Sequence, residues 1–365
     1  MASPIYLGVV GVGGVGSAFL EQLGRLPNAP KLILLSRSSQ TLLSPKQDDS
    51  PSIPATDWTT AAATPSLIKT GHALSPKAMA EYLASAPGRA ILVDTTTDLI
   101  LAQAYPIFLK KGISVVTPNK KGFSSNVSLW HDIFASAAQG HALVYHQATV
   151  GGSLPVLSTL RDLIATGDEI IRIEGVLSGS LSLLFDQFMP AHGSSDGQWS
   201  TLVAHAREIG HTEPDPRDDL NGMDFARKLT ILARVLGLDV ASPDSFPVES
   251  LIPVELASLP SAADFMDQLP RFDVQMDSLK DKARKQGKVV RYVGSIDVPT
   301  KAIKVGLKHF SKDNPIANLK GSQIISIYTK RYGDTPLILK GGGGGGEITA
   351  MAVMADLLKV MERLN

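Results

Sequence analysis

Cysteine is absent from the 365 residues of this chain. Disulfide bonds and thiolate-bound metal ions are therefore excluded. The absence also excludes an aldehyde dehydrogenase that forms a thioester, because that reaction requires a cysteine nucleophile. The eight histidines show neither an HExxH motif nor another paired-ligand spacing, so the sequence gives no indication of a histidine-bound metal ion.

An excess of charge of either sign is also lacking. The chain has 35 basic and 35 acidic residues, so we expect no electrostatic attraction to nucleic acid or to an anionic membrane. No apolar run is long enough to span a membrane, and the first residues do not resemble a signal peptide. We therefore expect a soluble, cytoplasmic protein, and its length suits two domains.

A glycine-rich turn follows the first apolar run of the chain. Residues 5–10 read as a strand, and a helical pattern that ends at Gly24 begins after the turn. The turn consists of Gly11, Val12, Gly13, Gly14, Val15 and Gly16. A GxGxxG string between a strand and a helix is typical of a dinucleotide site, in which the pyrophosphate lies at the helix N-terminus. A tight turn in an unrelated α/β domain is the alternative.

The second predicted strand, residues 31–35, is followed by Ser36 and Arg37. An enzyme strict for NAD normally has an acidic residue here, which binds the ribose 2′-hydroxyl. Arg37 instead suits a 2′-phosphate, so we expect NADP to be accepted, with NAD as a further candidate cofactor. The alternative is that Arg37 is a solvated surface residue.

Two further predicted strands end in polar residues. Residues 90–93 are followed by Asp94, Thr95, Thr96 and Thr97, and residues 113–116 by Thr117, Pro118, Asn119, Lys120 and Lys121. The carboxyl ends of the strands surround the ligand in a doubly wound sheet. We therefore expect Thr95 and Thr96 to contact the cofactor.

The most informative segment runs from Glu213 to Lys228. It contains five carboxylates, and its prolines forbid a helix through its first half. Its second half can be helical, which places Asp224 and Lys228 one turn apart on the same face. Taken alone, such a pair is most often a solvated ion pair. A calcium loop is disfavoured, because Arg217 and Ala226 stand where an EF-hand requires oxygen ligands.

The whole string closely resembles the signature of the homoserine dehydrogenases. The matching residues are Ala206, Gly210, Glu213, Asp215, Pro216, Asp219, Gly222, Asp224 and Lys228. The resemblance extends over nearly the whole chain and is to the monofunctional, fungal-type enzyme. It implies reversible, NAD(P)H-dependent reduction of L-aspartate 4-semialdehyde to L-homoserine, in threonine and methionine biosynthesis. Two alternatives stay open: a paralogue that reduces a related amino-acid semialdehyde or ketone, and a non-catalytic nucleotide-binding homologue.

The resemblance implies roles for individual residues. Hydride transfer to an aldehyde leaves an alkoxide, which needs a nearby cation or acid. We expect Lys228 to be the proton donor, Asp224 to be its electrostatic partner and a substrate ligand, and Lys120 to lie at the polar end of the substrate. The substrate's ammonium group needs carboxylates, and Glu213 and Asp219 are the further candidates.

Two turns resemble parts of the family's substrate and cofactor sites. Residues Ser178, Gly179 and Ser180 resemble its Ser-Gly-Thr turn, and a helix N-terminus with hydroxyls can hold a substrate carboxylate; the alternative is an ordinary cap. The family's Asn-Lys lies between nicotinamide and substrate, and its lysine corresponds to Lys120. Lys121 is adjacent, and which of the two points inward stays open.

Two glycine-containing turns complete the resemblance. In the family, the first holds a monovalent cation such as sodium, and the implied ligands are Gln147, Val150, Gly152 and Leu154. The family typically has Glu where Gln147 stands, which removes a negative charge from this site. The second turn is the run of six glycines at 341–346, which corresponds to a family turn that approaches the cofactor. Gly345 is therefore expected to contact the cofactor.

We predict an α/β protein with a Rossmann-type, doubly wound parallel sheet and an α+β substrate domain whose open sheet is covered by helices. The NAD(P)-binding domain is expected to comprise residues 1–149 and the substrate and dimerisation domain residues 150–340. Residues 341–365 would form the glycine turn and a helix that returns to the nucleotide domain. Ser153 is expected to cap the first helix of the substrate domain. The family also implies a homodimer through the substrate-domain sheet.

Overall fold

The computed structural model describes residues 4–45, 52–61, 66–342 and 344–364. The chain divides into two compact units. The first unit comprises Met1–Ser153 and Gly344–Asn365, and the second comprises Leu154–Gly343. Among the residues that the structure describes, no helix is long and apolar enough to cross a membrane.

The described part of the first unit contains a seven-stranded sheet in the order β4-β3-β2-β1-β5-β6-β7. Its strands are β1 Ile5–Val10, β2 Lys31–Ser36, β3 Thr41–Leu43, β4 Ile68–Lys69, β5 Arg89–Asp94, β6 Ser114–Val116 and β7 Val144–Tyr145. The pairs β2–β1, β1–β5, β5–β6 and β6–β7 are parallel, which confirms the predicted parallel sheet. Strands β3 and β4 add an antiparallel edge. The strand order reverses between β1 and β5, the place where such sheets bind ligands.

Helices cover this sheet. They are α1 Gly14–Leu23, α2 Trp58–Ala61, α3 Pro76–Ala84, α4 Leu99–Gln103, α5 Tyr105–Lys110, α6 Lys121–Ser124 and α7 Val127–Gln139. Their caps follow the sequence: Ser75 accepts a hydrogen bond from the backbone of α3, Asp98 from that of α4 and Asn126 from that of α7.

The second unit contains a five-stranded sheet in the order β10-β9-β8-β11-β12, with every neighbouring pair antiparallel. The strands are β8 Ile170–Val176, β9 Lys288–Asp297, β10 Ala302–Ser311, β11 Gln323–Thr329 and β12 Leu337–Gly341. The helices are α8 Val156–Ala165, α9 Gly179–Phe188, α10 Trp199–Glu208, α11 Arg217–Leu220, α12 Met223–Val235, α13 Ala262–Gln268 and α14 Asp273–Lys285. This is the predicted open sheet with helices against it.

Helix α12 lies directly against strand β9. Phe225 packs edge-on against Tyr292, with ring centroids 5.7 Å apart. A Cβ on Gly294 would lie 2.5 Å from Phe225 Cε1, so only glycine allows this close approach. The contact buries the apolar side of α12 and fixes the position of its other side.

The last helix, α15 Gly346–Leu364, belongs to the first unit. Its apolar side chains, including Val353 and Leu357, share one buried core with Phe19 and Leu23 of α1. The helix is therefore part of the core of the unit that carries the glycine turn.

Two local predictions were wrong. Ser153 does not cap a helix, because α8 begins at Val156 and Pro155 occupies its N-cap without a side-chain hydrogen bond. The prolines of the acidic segment also do not exclude helix throughout its first half. Pro216 has helical backbone angles and precedes α11, where its missing N–H is not needed.

Candidate active site

The glycine turn of the first unit joins β1 to α1. Gly11 has a φ of 95°, a backbone conformation that favours glycine, and its N–H donates to the Ser36 carbonyl at 2.9 Å. A Cβ on Gly16 would lie 2.2 Å from the Gly11 carbonyl oxygen. A Cβ on Gly13 or Gly14 would meet no described atom within 4 Å. The open side of the turn therefore presents backbone at the N-terminus of α1, as anion binding requires.

Thr95 holds this turn from the neighbouring strand. Its hydroxyl donates to the Gly11 carbonyl at 2.8 Å, and its backbone N–H donates to the Val10 carbonyl at 2.9 Å. Thr96 follows, with its backbone N–H on the carboxylate of Asp94 at 2.7 Å. The two predicted hydroxyl residues therefore lie at the reversal point of the sheet, and Thr95 contacts the turn itself.

The polyglycine run also reaches the turn. Gly345 has a φ of 104°, and a Cβ on Gly346 would lie 2.6 Å from the Gly14 carbonyl oxygen. Gly343, in the middle of the run, lies outside the described residues. Glycine at 346 is required for this close approach, so the run has a structural use beyond that of a flexible linker.

Arg37 follows β2 and is exposed. Its guanidinium carbon lies 5.2 Å from the centroid of the Trp58 ring, a cation–π distance. No sequence motif indicated this partner, which is 21 positions further along the chain. The stacking limits the orientations of Arg37 beside the end of the second strand.

The loop after β6 carries Asn119, Lys120 and Lys121. Asn119 is buried, whereas both lysines are half-buried at the start of α6. The backbone carbonyl of Lys120 accepts a hydrogen bond from the Ser124 hydroxyl at 2.9 Å. Both lysines thus stay candidates for an inward-facing role.

In the second unit, Lys228 is 8% exposed although it carries a charge. Its ammonium donates to the backbone carbonyl of Leu177 at 2.6 Å and lies 2.7 Å from Asp224 Oδ2. The side chain of Asp224 is 47% exposed, so the pair is buried at its lysine end only. The predicted spacing of one helical turn is realised, but the environment differs from that of a solvated pair.

Asp219 lies beside this pair. Its Oδ2 accepts the backbone N–H of Glu213 at 2.8 Å. Burial raises the pKa of Asp219, while hydrogen bonds from the Glu213 backbone and the Ser180 hydroxyl lower it and the charge of Asp224 raises it further. The side chain of Glu213 is exposed. The predicted carboxylates therefore include one whose ionised form is disfavoured by its surroundings.

The turn between β8 and α9 completes the cluster. Ser178 caps α9 by accepting the Leu181 N–H at 3.2 Å, so the ordinary cap is realised. Ser180 reaches Asp219, and the Leu177 carbonyl holds Lys228. Sequence reasoning missed Leu177, because a backbone acceptor leaves no mark in the residue type.

A glycine within the acidic segment determines how α12 begins. Gly222 has a φ of 77° at the N-cap of α12, and a Cβ there would lie 2.1 Å from the Tyr292 hydroxyl oxygen. That hydroxyl donates to the Glu249 carbonyl at 2.6 Å. The start of the helix that carries Asp224 and Lys228 is thus positioned by the contact between the Gly222 backbone and the side chain of Tyr292 on β9.

The predicted cation turn is buried in the first unit up to Val150. The N–H of Gln147 donates to Asp356 Oδ2 of α15 at 2.8 Å, and the glycines at 151 and 152 have φ values of 79° and 59°. The fourth predicted ligand, Leu154, is the first residue of the second unit. Within the described ranges, no group of three or more His, Cys, Asp or Glu residues could hold a metal ion. None of the four predicted ligands carries a carboxylate, so the oxygen donors they offer are backbone carbonyls and the side-chain amide of Gln147.

Comparison with known proteins shows which family has this sequence and architecture. A family model described as the NAD binding domain of homoserine dehydrogenase matches residues 11–147, and one described as homoserine dehydrogenase matches residues 155–358. A homoserine dehydrogenase of Emericella nidulans is 68% identical over 369 residues and is covered, like this chain, to 100%. The chain belongs to the homoserine dehydrogenase family. It is an NAD(P)-dependent oxidoreductase, and the predicted family and fold class are confirmed.

Two other fungal homoserine dehydrogenases are also similar to this chain over its full length. A homoserine dehydrogenase of Paracoccidioides brasiliensis is 60% identical over 367 residues, with 99% of each chain covered. That of Saccharomyces cerevisiae is 42% identical over 363 residues, again with 99% of each chain covered. The similarity therefore spans both units.

Solved structures share the fold. A crystal structure of a Candida auris protein of unknown function is 42% identical, with a TM-score of 0.92 over 100% of this chain and 99% of that one. A hyperthermophilic archaeal homoserine dehydrogenase in complex with NADPH is 22% identical, with a TM-score of 0.70 over 99% of this chain and 98% of that one. At that identity the likeness concerns the fold alone.

Proposed function

We propose that this chain interconverts L-homoserine and L-aspartate 4-semialdehyde with Lys228 as the proton donor to the reacting oxygen. The first unit would bind the nucleotide and the second the substrate, on the route to threonine and methionine. The observation that carries the proposal is the buried ammonium of Lys228, held by the Leu177 carbonyl and by Asp224.

The nicotinamide would supply or accept the hydride. In the reducing direction, negative charge develops on the aldehyde oxygen, and a positioned ammonium stabilises it and then transfers a proton. The Leu177 carbonyl and Asp224 hold the Nζ of Lys228 in place before the reaction begins, so little reorganisation is needed as the charge develops. Asp224 would stabilise the charged form of Lys228.

The carboxylates would recognise the amino-acid end of the substrate. Asp219, Asp224 and Glu213 are the proposed ligands of the ammonium group, and the Ser178–Ser180 turn at the N-terminus of α9 would receive the carboxylate. Asp219 already has a hydrogen bond with the backbone of Glu213, so it also orders the acidic segment.

In the first unit, the glycine turn would hold the pyrophosphate, and Lys120 would lie between the nicotinamide and the substrate, with Lys121 as its alternate. Arg37 would bind the 2′-phosphate of NADP. Its support is the stacking on Trp58 beside the second strand.

A monovalent cation and a homodimer are further parts of the proposal. The carbonyls of Val150 and Gly152, next to two glycines with positive φ, fit a sodium-like ion together with Gln147 and Leu154. Asp356, on the N–H of Gln147, supplies a negative charge near that turn. Dimerisation through the sheet of the second unit is supported by the partly exposed Ile338 on its edge strand β12.

The activity is tested by adding L-homoserine to the chain with NADP at alkaline pH. We expect reduced nucleotide to form, because removal of the product proton favours oxidation at high pH. Analogues such as L-serine, supplied at the same concentration, are the control for substrate identity. Formation of reduced nucleotide with an analogue but not with L-homoserine would contradict the proposal, and binding of NADPH without any oxidation would point to a non-catalytic protein.

The cofactor preference is tested by replacing Arg37 with serine. We expect kcat/KM for NADP to fall about 10- to 100-fold, the value of one or two charge-assisted hydrogen bonds, and kcat/KM for NAD to stay the same. Initial rates with both cofactors measure this ratio. Trp58→Leu should cause a smaller loss of kcat/KM for NADP than Arg37→Ser does, because it removes the stacking but keeps the guanidinium.

Arg25 offers a matched control, since it is also an exposed arginine of the first unit, with a side chain 77% exposed. Arg25→Ser should change kcat/KM neither for NADP nor for NAD. An equal loss for NAD and NADP in Arg37→Ser would show that Arg37 does not read the 2′-phosphate.

A further inference from the structure

One buried carboxylate in the first unit, that of Asp94, accepts hydrogen bonds from several segments. Asp94 ends β5 and is 0% exposed. Its Oδ1 accepts the Thr96 N–H at 2.7 Å, and its Oδ2 accepts the Tyr105 hydroxyl at 2.5 Å and the Asn119 side-chain amide at 3.1 Å. Burial of a carboxylate is unfavourable unless donors compensate for the lost water. Three donors on two oxygens provide this compensation for Asp94 and fix the position of its carboxylate.

Asn119 connects this carboxylate to the loop after β6. Its Nδ2 also donates to the Asp98 carbonyl at 2.9 Å, and its Oδ1 accepts the Lys121 N–H at 3.1 Å. Lys120 lies between these two anchored residues. The backbone on both sides of Lys120 is therefore fixed by one side chain.

A second connection runs through Thr117. Its hydroxyl donates to the Asp94 carbonyl at 2.8 Å and accepts the Asn119 N–H at 2.9 Å. The loop after β6 is thus tied to the end of β5 twice, once through the side chain of Asp94 and once through its backbone.

Asp94 is also connected to the glycine turn, through Thr96 and Thr95. Thr96, whose N–H it accepts, follows Thr95, and the Thr95 hydroxyl holds the Gly11 carbonyl. Displacement of Asp94 would therefore affect both the glycine turn and the loop after β6 that carries Lys120.

We propose that Asp94 is a positioning residue for the reaction, which sets the place of Lys120 relative to the glycine turn through its hydrogen bonds to Asn119 and Thr96. The inference rests on the proposed role of Lys120. It assigns Asp94 no contact with substrate or cofactor.

The network requires an acceptor at position 94. Both oxygens of Asp94 receive N–H or O–H donors. An asparagine would present an amide group to at least one of these donors. Asn119 could turn its own amide to accept that group only by losing its hydrogen bonds with Lys121 and Asp98. The substitution Asp94→Asn should therefore break either the hydrogen bond from Thr96 or the one from Asn119, and with it one of the two connections of the network, while changing the volume of the side chain very little.

The first experiment compares Asp94→Asn with the unsubstituted chain. We expect kcat for homoserine oxidation to fall about 100-fold, since a misplacement of about 1 Å has this effect. The primary isotope effect, measured with homoserine deuterated at its alcohol carbon, should rise, because hydride transfer becomes slower relative to other steps. Retention of kcat would overturn the proposal. So would a loss of activity with an unchanged isotope effect, because that pattern reports fewer folded molecules.

An exchange variant tests the same contact without relying on the stability of Asp94→Asn. Asn119→Asp places two carboxylates against each other and should be impaired. Combining it with Asp94→Asn restores one donor and one acceptor across the contact, so the double variant should be at least about tenfold more active than Asn119→Asp alone, the value of one hydrogen bond to a charged group. Equal or lower activity of the double variant would overturn the proposal.

Tyr105→Phe is the matched control within the network. It removes one donor from Asp94 and the Tyr105 contact with the Thr117 hydroxyl. The hydrogen bonds of Asn119 with Asp94 and Thr117 remain, so the isotope effect should not change, and the loss of kcat should be less than about tenfold. Failure of the proposed function would be visible separately, as an absence of homoserine oxidation by the unsubstituted chain.

Discussion

Lys228→Ala is expected to lower kcat for homoserine oxidation about 1,000-fold, the combined value of a positioned acid and a charge that stabilises the developing alkoxide. KM for homoserine should change by much less, because the carboxylates proposed to bind the substrate's ammonium group are retained. Steady-state rates at saturating NADP measure both quantities. An unchanged turnover number would contradict the role of Lys228.

Lys280 provides the control for loss of a buried lysine. It is 5% exposed, its ammonium lies 3.6 Å from Asp277 Oδ1 on the same helix, and it reaches the Gly197 carbonyl at 3.4 Å. Lys280 thus resembles Lys228 in its burial and in its contacts with a carboxylate and a backbone carbonyl, but it belongs to α14, outside the proposed active site. Lys280→Ala should lower the unfolding midpoint and leave kcat per folded molecule unchanged. Similar losses of kcat in both variants would assign the effect to folding.

Gly222→Ala is expected to destabilise the second unit by about 2–5 kcal/mol. Part of this is the strain of a non-glycine residue at positive φ, and the larger part is the collision with the Tyr292 hydroxyl, which behaves as overpacking. Relief would require α12 or β9 to move, so kcat of the folded fraction should fall as well. Urea unfolding followed by circular dichroism, with activity measured in parallel, tests both expectations.

Gly237 separates strain from collision. It has a φ of 80° just after α12, and a Cβ there would meet no described atom within 4 Å. Gly237→Ala should therefore cost only about 1–2 kcal/mol, from strain alone, and should not affect kcat. Equal destabilisation by both substitutions would mean that the contact with Tyr292 does not restrict α12.

The secondary structure around the site could be predicted because its signals are local. The apolar runs before Gly11 and before Asp94 each become a central strand, and the four-residue spacing of Asp224 and Lys228 becomes an ion pair 2.7 Å long. Such patterns depend on the periodicity of one element and its neighbours. The same locality explains why Ser178 could be read as the cap of α9.

Contacts between distant segments could not be predicted in the same way. The Leu177 carbonyl that holds Lys228 is 51 positions away, and any residue type has such a carbonyl. Asp94 was visible at the end of its strand, but its partners Tyr105 and Asn119 lie on other elements. The predicted cap at Ser153 was wrong because α8 begins only at Val156, with Pro155 at its N-cap, and a sequence pattern does not locate such a boundary to within two or three residues.

The membership of α15 in the first unit has a consequence for biosynthesis. Residues 154–343 form a contiguous compact unit, so on the ribosome they emerge as an uninterrupted folding unit. The nucleotide-side core, by contrast, lacks Val353 and Leu357 until that whole segment has been translated. Until then the early part of the chain exposes apolar surface on α1, so we expect the first unit to complete its folding only after α15 has been translated.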